Sequence, residues 1–196
     1  MFAVDGSKDL TSEQFKKLKN TIKSILNSYV ISPTATHVGV IEFSDTSTES
    51  IHLTKSYDRD EIYTMIDAIK QSGGTRRVTD EALKMASERM FSVTAGARVG
   101  ASRALVILTA GKSTGDQSPS EAVKPLERNG VRVYVVSVGE NVDGDEVRGI
   151  VPDGTNVFPA NPDKPGEVVI KIVKVINKDI KESKEKREYK KCICKM

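Results

Sequence analysis

The chain has 196 residues, 38% of them apolar and 29% charged, with a formal net charge of +3. This is the size and composition of one soluble globular domain with a real core. The small charge, mixed with acids through most of the sequence, gives no footprint for nucleic acid. No run approaches the roughly 18 apolar residues of a membrane span.

The first apolar run, Phe2-Ala3-Val4, reads as a strand that stops at once on Asp5-Gly6-Ser7-Lys8-Asp9. Strands usually run about 5–6 residues, so chain upstream of Met1 is expected. The lack of a basic, apolar leader here then says nothing about compartment. Residues 10–30 place Leu10, Phe15, Leu18, Ile22, Ile25, Leu26 and Tyr29 on one helical face, with Thr11 or Ser12 as N-cap. "THVGVIEFS" reads as a strand and "ESIHLT" as a hairpin-linked edge strand. Residues 58–70 read as a helix capped by Asp58.

Ser72-Gly73-Gly74 breaks the chain, and Thr79-Asp80-Glu81 opens the next helix. "SRALVILTAG" carries an unbroken apolar run from Ala104 to Leu108, the mark of a strand covered on both faces. Residues 118–129 read as a helix with Ser118 as cap and Pro119 in its first turn, kinked or shortened at Pro125. "VRVYVVSVG" is a second buried strand, "DGDEVRGIV" a short helix and "TNVFPA" a final strand. Residues 165–185 close the chain as a helix that loses its apolar face after Ile180 and leaves the domain surface.

Alternating strands and helices predict an α/β fold. It is a doubly wound, mostly parallel six-stranded sheet with one antiparallel edge strand and helices on both faces. In such sheets ligands bind at the carboxyl ends of the strands. That brings together the loops 5–9, 73–79 and 109–116.

Other chemistry is weakly supported. "AGKST" at 110–114 lacks the leading glycine of a phosphate loop, because Val106 stands there. His37 and His52 sit by or within strands, away from Ser7 and Ser113, so no nucleophile has a base. Asp143, Asp145 and Glu146 lie at a helix start, where they complement the dipole. Cys192 and Cys194 are too few and too close for a disulfide framework, and the two histidines lie far from them in sequence. They read as the start of a cysteine-rich module, a bond to another chain, or an incidental tail.

The motifs "FAVDGSKD", "VGVIEFS", "GGTRRVTDEALKMASERMF", "ALVILTAGKSTGD" and "GVRVYVVSVG" occur in the order and spacing of a von Willebrand factor type A domain. The chain resembles the matrix and adhesion branch of that family: type VI collagen, matrilins, cochlin and invertebrate matrix proteins. The resemblance covers residues 1–180, leaving 181–196 as a charged tail with Cys192 and Cys194. It implies a non-enzymatic, extracellular protein-binding module. Its partner would be a matrix protein such as collagen or another acidic protein, with no nucleic acid and no membrane insertion. A metal-independent structural module and an intracellular scaffold of the same fold are the alternatives, and free thiols at the C-terminus would favour the latter.

The family carries a metal-ion-dependent adhesion site built from an Asp-x-Ser-x-Ser loop, a Thr and an Asp. Mg²⁺ or Mn²⁺ there takes oxygen ligands and leaves one position for a partner's carboxylate. The resemblance assigns Asp5, Ser7, Asp9 and Thr75 as the metal residues of a degenerate site. Asp9 stands where the family has Ser, and Ala110 where it has Asp. The second loop has two readings. Thr75 lies seven residues before Ala82, but the family places its Thr about five before, at Arg77. Either the loop carries an insertion, or an arginine takes the threonine's place and its cation pairs with Asp5 or Asp9. Arg76, Arg77 and Lys112 are the basic candidates for the ligand face.

Overall fold

The side chains of β1 (Phe2–Asp5) alternate between two cores, with Phe2 and Val4 facing one and Ala3 the other. The computed structural model describes residues 1–138, 142–151, 154–160 and 165–193. β1 lies at the centre of a six-stranded sheet in the order β3-β2-β1-β4-β5-β6. The other strands are β2 (Val40–Phe43), β3 (Ser47–Ile51), β4 (Arg103–Thr109), β5 (Val131–Val138) and β6 (Val157–Ala160). Only β3 runs antiparallel, on the outer edge of β2. The expected fold class is the observed one.

The apolar run of β4 is divided between the cores: Val106 and Leu108 on one side, Leu105 and Ile107 on the other. A strand buried on both faces needs no polar alternation. α1 (Ser12–Leu26), α2 (Arg59–Ala68) and α7 (Pro165–Ile193) cover the first face, through Ile22, Ile25, Ile66, Ile172 and Ile176. α3 (Thr79–Met85), α4 (Pro119–Ala122), α5 (Lys124–Arg128) and α6 (Gly144–Ile150) cover the second, through Leu83, Leu126 and Val147.

Several boundaries differ from expectation. α1 starts at Ser12 behind a capping box in which Thr11 and Gln14 bond each other's backbone N–H. It stops at Leu26 rather than residue 30, and the guanidinium of Arg59 takes the carbonyls of Leu26 and Tyr29. α3 opens at Thr79 as expected, with Val78 in the N-cap position and no side-chain cap bond; a π-helical turn, Ala86–Met90, continues that helix. The helix expected over 118–129 is broken into α4 and α5 ahead of Pro125, which has no N–H to give. α7 runs to Ile193, eight residues past the expected end. Arg187 still holds the body there, donating to Gly100 O and Ser102 Oγ. Cys192 lies in the last turn of α7; Cys194 is outside the described residues.

Chain order turns around at β1, since β2 lies on one side of it and β4 on the other. The carboxyl ends of β1 and β4 therefore flank the topological switch point, where this sheet architecture leaves a crevice.

Candidate functional site

Asp5 is the last residue of β1 and is fully buried. A carboxylate there must be paired, because burying an isolated one costs far more than a fold can offset. Its Oδ1 accepts from Ser7 N at 2.9 Å. Its Oδ2 accepts from Ala110 N at 3.0 Å and from Arg77 Nε at 2.6 Å. One side chain thus joins the loop after β1, the loop after β4 and the segment before α3.

Arg77 occupies the centre of this cluster. Its Nη2 donates to Ser7 Oγ at 3.0 Å and to Asp9 Oδ2 at 2.8 Å, and its Nη1 donates to Lys112 O at 2.9 Å. Its side chain is 7% exposed, against 0% for Asp5 and 54% for Asp9. Burial works against the cation, but the charge of Asp5 and hydrogen bonds to Asp5 and Asp9 outweigh it, so the guanidinium pKa is raised. The Arg77 backbone staples the same loops, with N donating to Thr114 Oγ1 at 2.8 Å and O accepting from Thr114 N at 2.9 Å. Gly111 makes room: a Cβ there would stand 2.6 Å from Arg77 Nη1.

Thr75 is elsewhere. Its hydroxyl faces Asp45 Oδ1 at 3.5 Å on the exposed rim, and that same oxygen accepts from Arg76 N at 2.6 Å. Val78 N donates to Ser44 O at 3.0 Å. These two anchors turn residue 77 inward and residue 75 outward. The structure therefore brings Asp5, Ser7 and Asp9 together around Arg77 and leaves Thr75 outside the cluster. Arg76 lies on the rim, paired to Asp116 at 3.1 Å. Lys112 is also on the rim, paired to Asp143 at 2.9 Å. The hydrogen bond from Lys112, with two from the α6 backbone, lowers the Asp143 pKa to about 2.

Two acids were not visible as site residues from the sequence. Glu42 in β2 is buried and accepts from Ser72 Oγ at 2.6 Å and Ser72 N at 3.3 Å. Its only signal is a charge inside the apolar "VIEF". Glu146 lies in the first turn of α6, where an acid complements the dipole, behind Asp143, which caps Asp145 N and Glu146 N. The Glu146 carboxylate also accepts from Ser113 N with both oxygens, at 3.0 and 2.9 Å, and fastens the third loop.

Burial raises the Glu42 pKa, the Ser72 bonds oppose this, and nearby Asp5 raises it further. A folded pKa above the unfolded one means that Glu42 supports folding at low pH, and that this support is lost as pH rises through the raised value. Glu42→Gln keeps an acceptor for Ser72 without the charge. The variant should gain stability over wild type as pH climbs above the ordinary glutamate range, and match or trail it below. Urea midpoints measured across that range check this; a difference independent of pH would sink it.

Divalent ions of the magnesium type want near-octahedral oxygen ligands, at about 2.0–2.1 Å for Mg²⁺. Here both Asp5 oxygens and Ser7 Oγ are committed, and a permanent cation sits among them. Among the described residues no group of three or more His, Cys, Asp and Glu is arranged to hold a metal. As arranged, these residues do not fit a divalent ion.

Residues 1–168 match the von Willebrand factor type A domain family. The chain is 33% identical to the human collagen alpha-6(VI) chain over 143 residues, 72% of this chain and 6% of that protein. It is 28% identical to human matrilin-1 over 154 residues, 78% of this chain and 30% of that one. Among solved structures, proximal thread matrix protein 1 from the mussel byssus aligns with a TM-score of 0.82 at 20% identity, covering 88% of this chain and 46% of that one. The same protein with a zinc-occupied metal-ion-dependent adhesion site aligns at 0.83 and 23% identity, covering 89% and 44%. The chain thus spans less than half the length of each of these proteins, and the structural likeness shows the shared fold. With its sheet order, switch point and loop motifs, the chain belongs to the von Willebrand factor type A domain family.

Proposed function

We propose that this chain is a non-enzymatic, extracellular protein-binding module of a secreted matrix protein. It docks its partner on the face formed by the loops after β1, before α3 and after β4. The observation that carries this reading is the rigid joining of those three loops by Asp5 and Arg77. Loops that carry function need a fixed scaffold, and a preorganised face binds without an ordering cost. The likeness to collagen VI and matrilin chains supports matrix as the setting. Arg76 and Lys112 then supply basic contacts on the rim, suited to an acidic partner such as collagen or another matrix protein.

The test is surface plasmon resonance of the chain over immobilised collagen and an acidic matrix glycoprotein. Reversing Arg76 and Lys112 together to Glu should weaken binding at least about tenfold, or 1.4 kcal/mol. Arg128→Glu at the opposite edge should leave it unchanged. Equal binding by both variants would move the partner off this face. It would favour a structural module that packs through its sides, the reading that closure of the cluster by Arg77 also supports.

A further inference from the structure

We infer that Arg77 is a resident cation that replaces the divalent ion of this site, so that the loop face is assembled and held without metal. The exchange keeps the number of acids at two while the central charge falls from +2 to +1. The family's third-loop acid is absent at Ala110, and an acid has appeared at Asp9. Asp5 and Asp9 now share one guanidinium, through Nε at 2.6 Å and Nη2 at 2.8 Å. The backbone N–H of Ala110 donates to Asp5 Oδ2 in the loop where that acid is lost.

A metal would organise the loops by drawing several oxygens to one point. Arg77 does the same through a rigid planar fork that reaches Asp5, Ser7, Asp9 and the carbonyl of Lys112. The bare Cα of Gly111 lets the fork approach the third loop closely. Unlike an ion, the cation is covalently attached. It can be neither chelated nor exchanged, and it has no open coordination position for a partner's carboxylate. Capture of an acidic side chain on a bridging ion is therefore closed to this domain, and its partner must be held by contacts on the rim. That consequence rests on the docking face proposed above; the replacement itself does not, and its test involves no partner.

The full chain, stripped with EDTA, is titrated calorimetrically with Mg²⁺ and then Mn²⁺. These hard ions avoid the thiols of Cys192 and Cys194, which zinc would find. Wild type should show no saturable heat, and its Tm should be the same in EDTA and in Mn²⁺. The Arg77 Nε–H should give a slowly exchanging NMR resonance that does not move on adding Mg²⁺. Arg77→Thr combined with Ala110→Asp opens the centre and restores the third-loop acid. That variant should bind Mn²⁺ saturably, gain Tm with it, and lose both when Asp5→Ala is added.

Saturable binding of either ion by wild type, abolished by Asp5→Ala, would overturn the inference. So would a folded double variant that stays blind to both ions, since something other than Arg77 would then exclude them. Should the double variant not fold, the wild-type titration and the Nε–H resonance decide alone. None of these results bears on whether the face binds collagen.

Discussion

Arg77→Met lowers the stability of the domain by about 3–5 kcal/mol, the usual cost of leaving one member of a buried ion pair without its partner. Methionine keeps the buried stem as far as the position of Nε but brings no charge and no donor. Asp5, fully buried, then keeps only the N–H groups of Ser7 and Ala110. The carbonyl of Lys112 and the hydroxyl of Ser7 lose their donor as well. The two arms of the guanidinium are not equal. Asp9 is half exposed, so its arm is screened by water and Asp9→Ala should cost less than about 1 kcal/mol. Arg77→Lys should fall between these, because a single ammonium cannot serve acceptors spread over two loops. Urea denaturation of the three variants reads these differences directly. A loss below about 1 kcal/mol for Arg77→Met would mean that the loops are held by their backbone bonds and the guanidinium is a spectator.

The ease of reading the fold, and the difficulty of reading this cluster, have one cause. Elements set by neighbours in sequence were legible: the apolar run of β4, the Asp58 cap that accepts from Glu61 N, and the break ahead of Pro125. Ends set by distant groups were not. Nothing near Leu26 announces that Arg59, 33 residues on, will take its carbonyl. In the site, Asp5 and Ser7 were legible because a strand end and its following turn lie in one short run. Thr75 and Arg77 were two frames of the same loop, and spacing alone left both open. The frame is fixed by Ser44 and Asp45, about 30 residues earlier, which grip the backbone of Val78 and Arg76. Glu42 stayed hidden for a related reason. Its partner register with Val4 puts it on the α1 face, at the height where Ser72 arrives from another loop. A single charge in an apolar strand marks such a place but does not say what meets it.

Asp5→Ala is the other large effect, and it should cost somewhat more than Arg77→Met. It strands the Arg77 cation in a buried site, again about 3–5 kcal/mol. It also orphans the N–H groups of Ser7 and Ala110, each a buried donor that costs about 1–3 kcal/mol when left unmade. The sum cannot be taken at face value, because the residual cation can turn toward Asp9 and water can enter from that exposed side. Pairing the two substitutions separates the contributions. In the Arg77→Met background no cation is left to strand and the unpaired carboxylate is itself removed, so adding Asp5→Ala should cost less than the orphaned amides alone. The double variant should then be more stable than the sum of the singles predicts by about 2 kcal/mol, within the usual range for residues in direct contact. Strict additivity would mean that Asp5 gathers the loops through its backbone bonds alone and that Arg77 merely packs beside it. A coupling of the expected size would make the pair a single fastening unit that gathers the loops after β1 and β4.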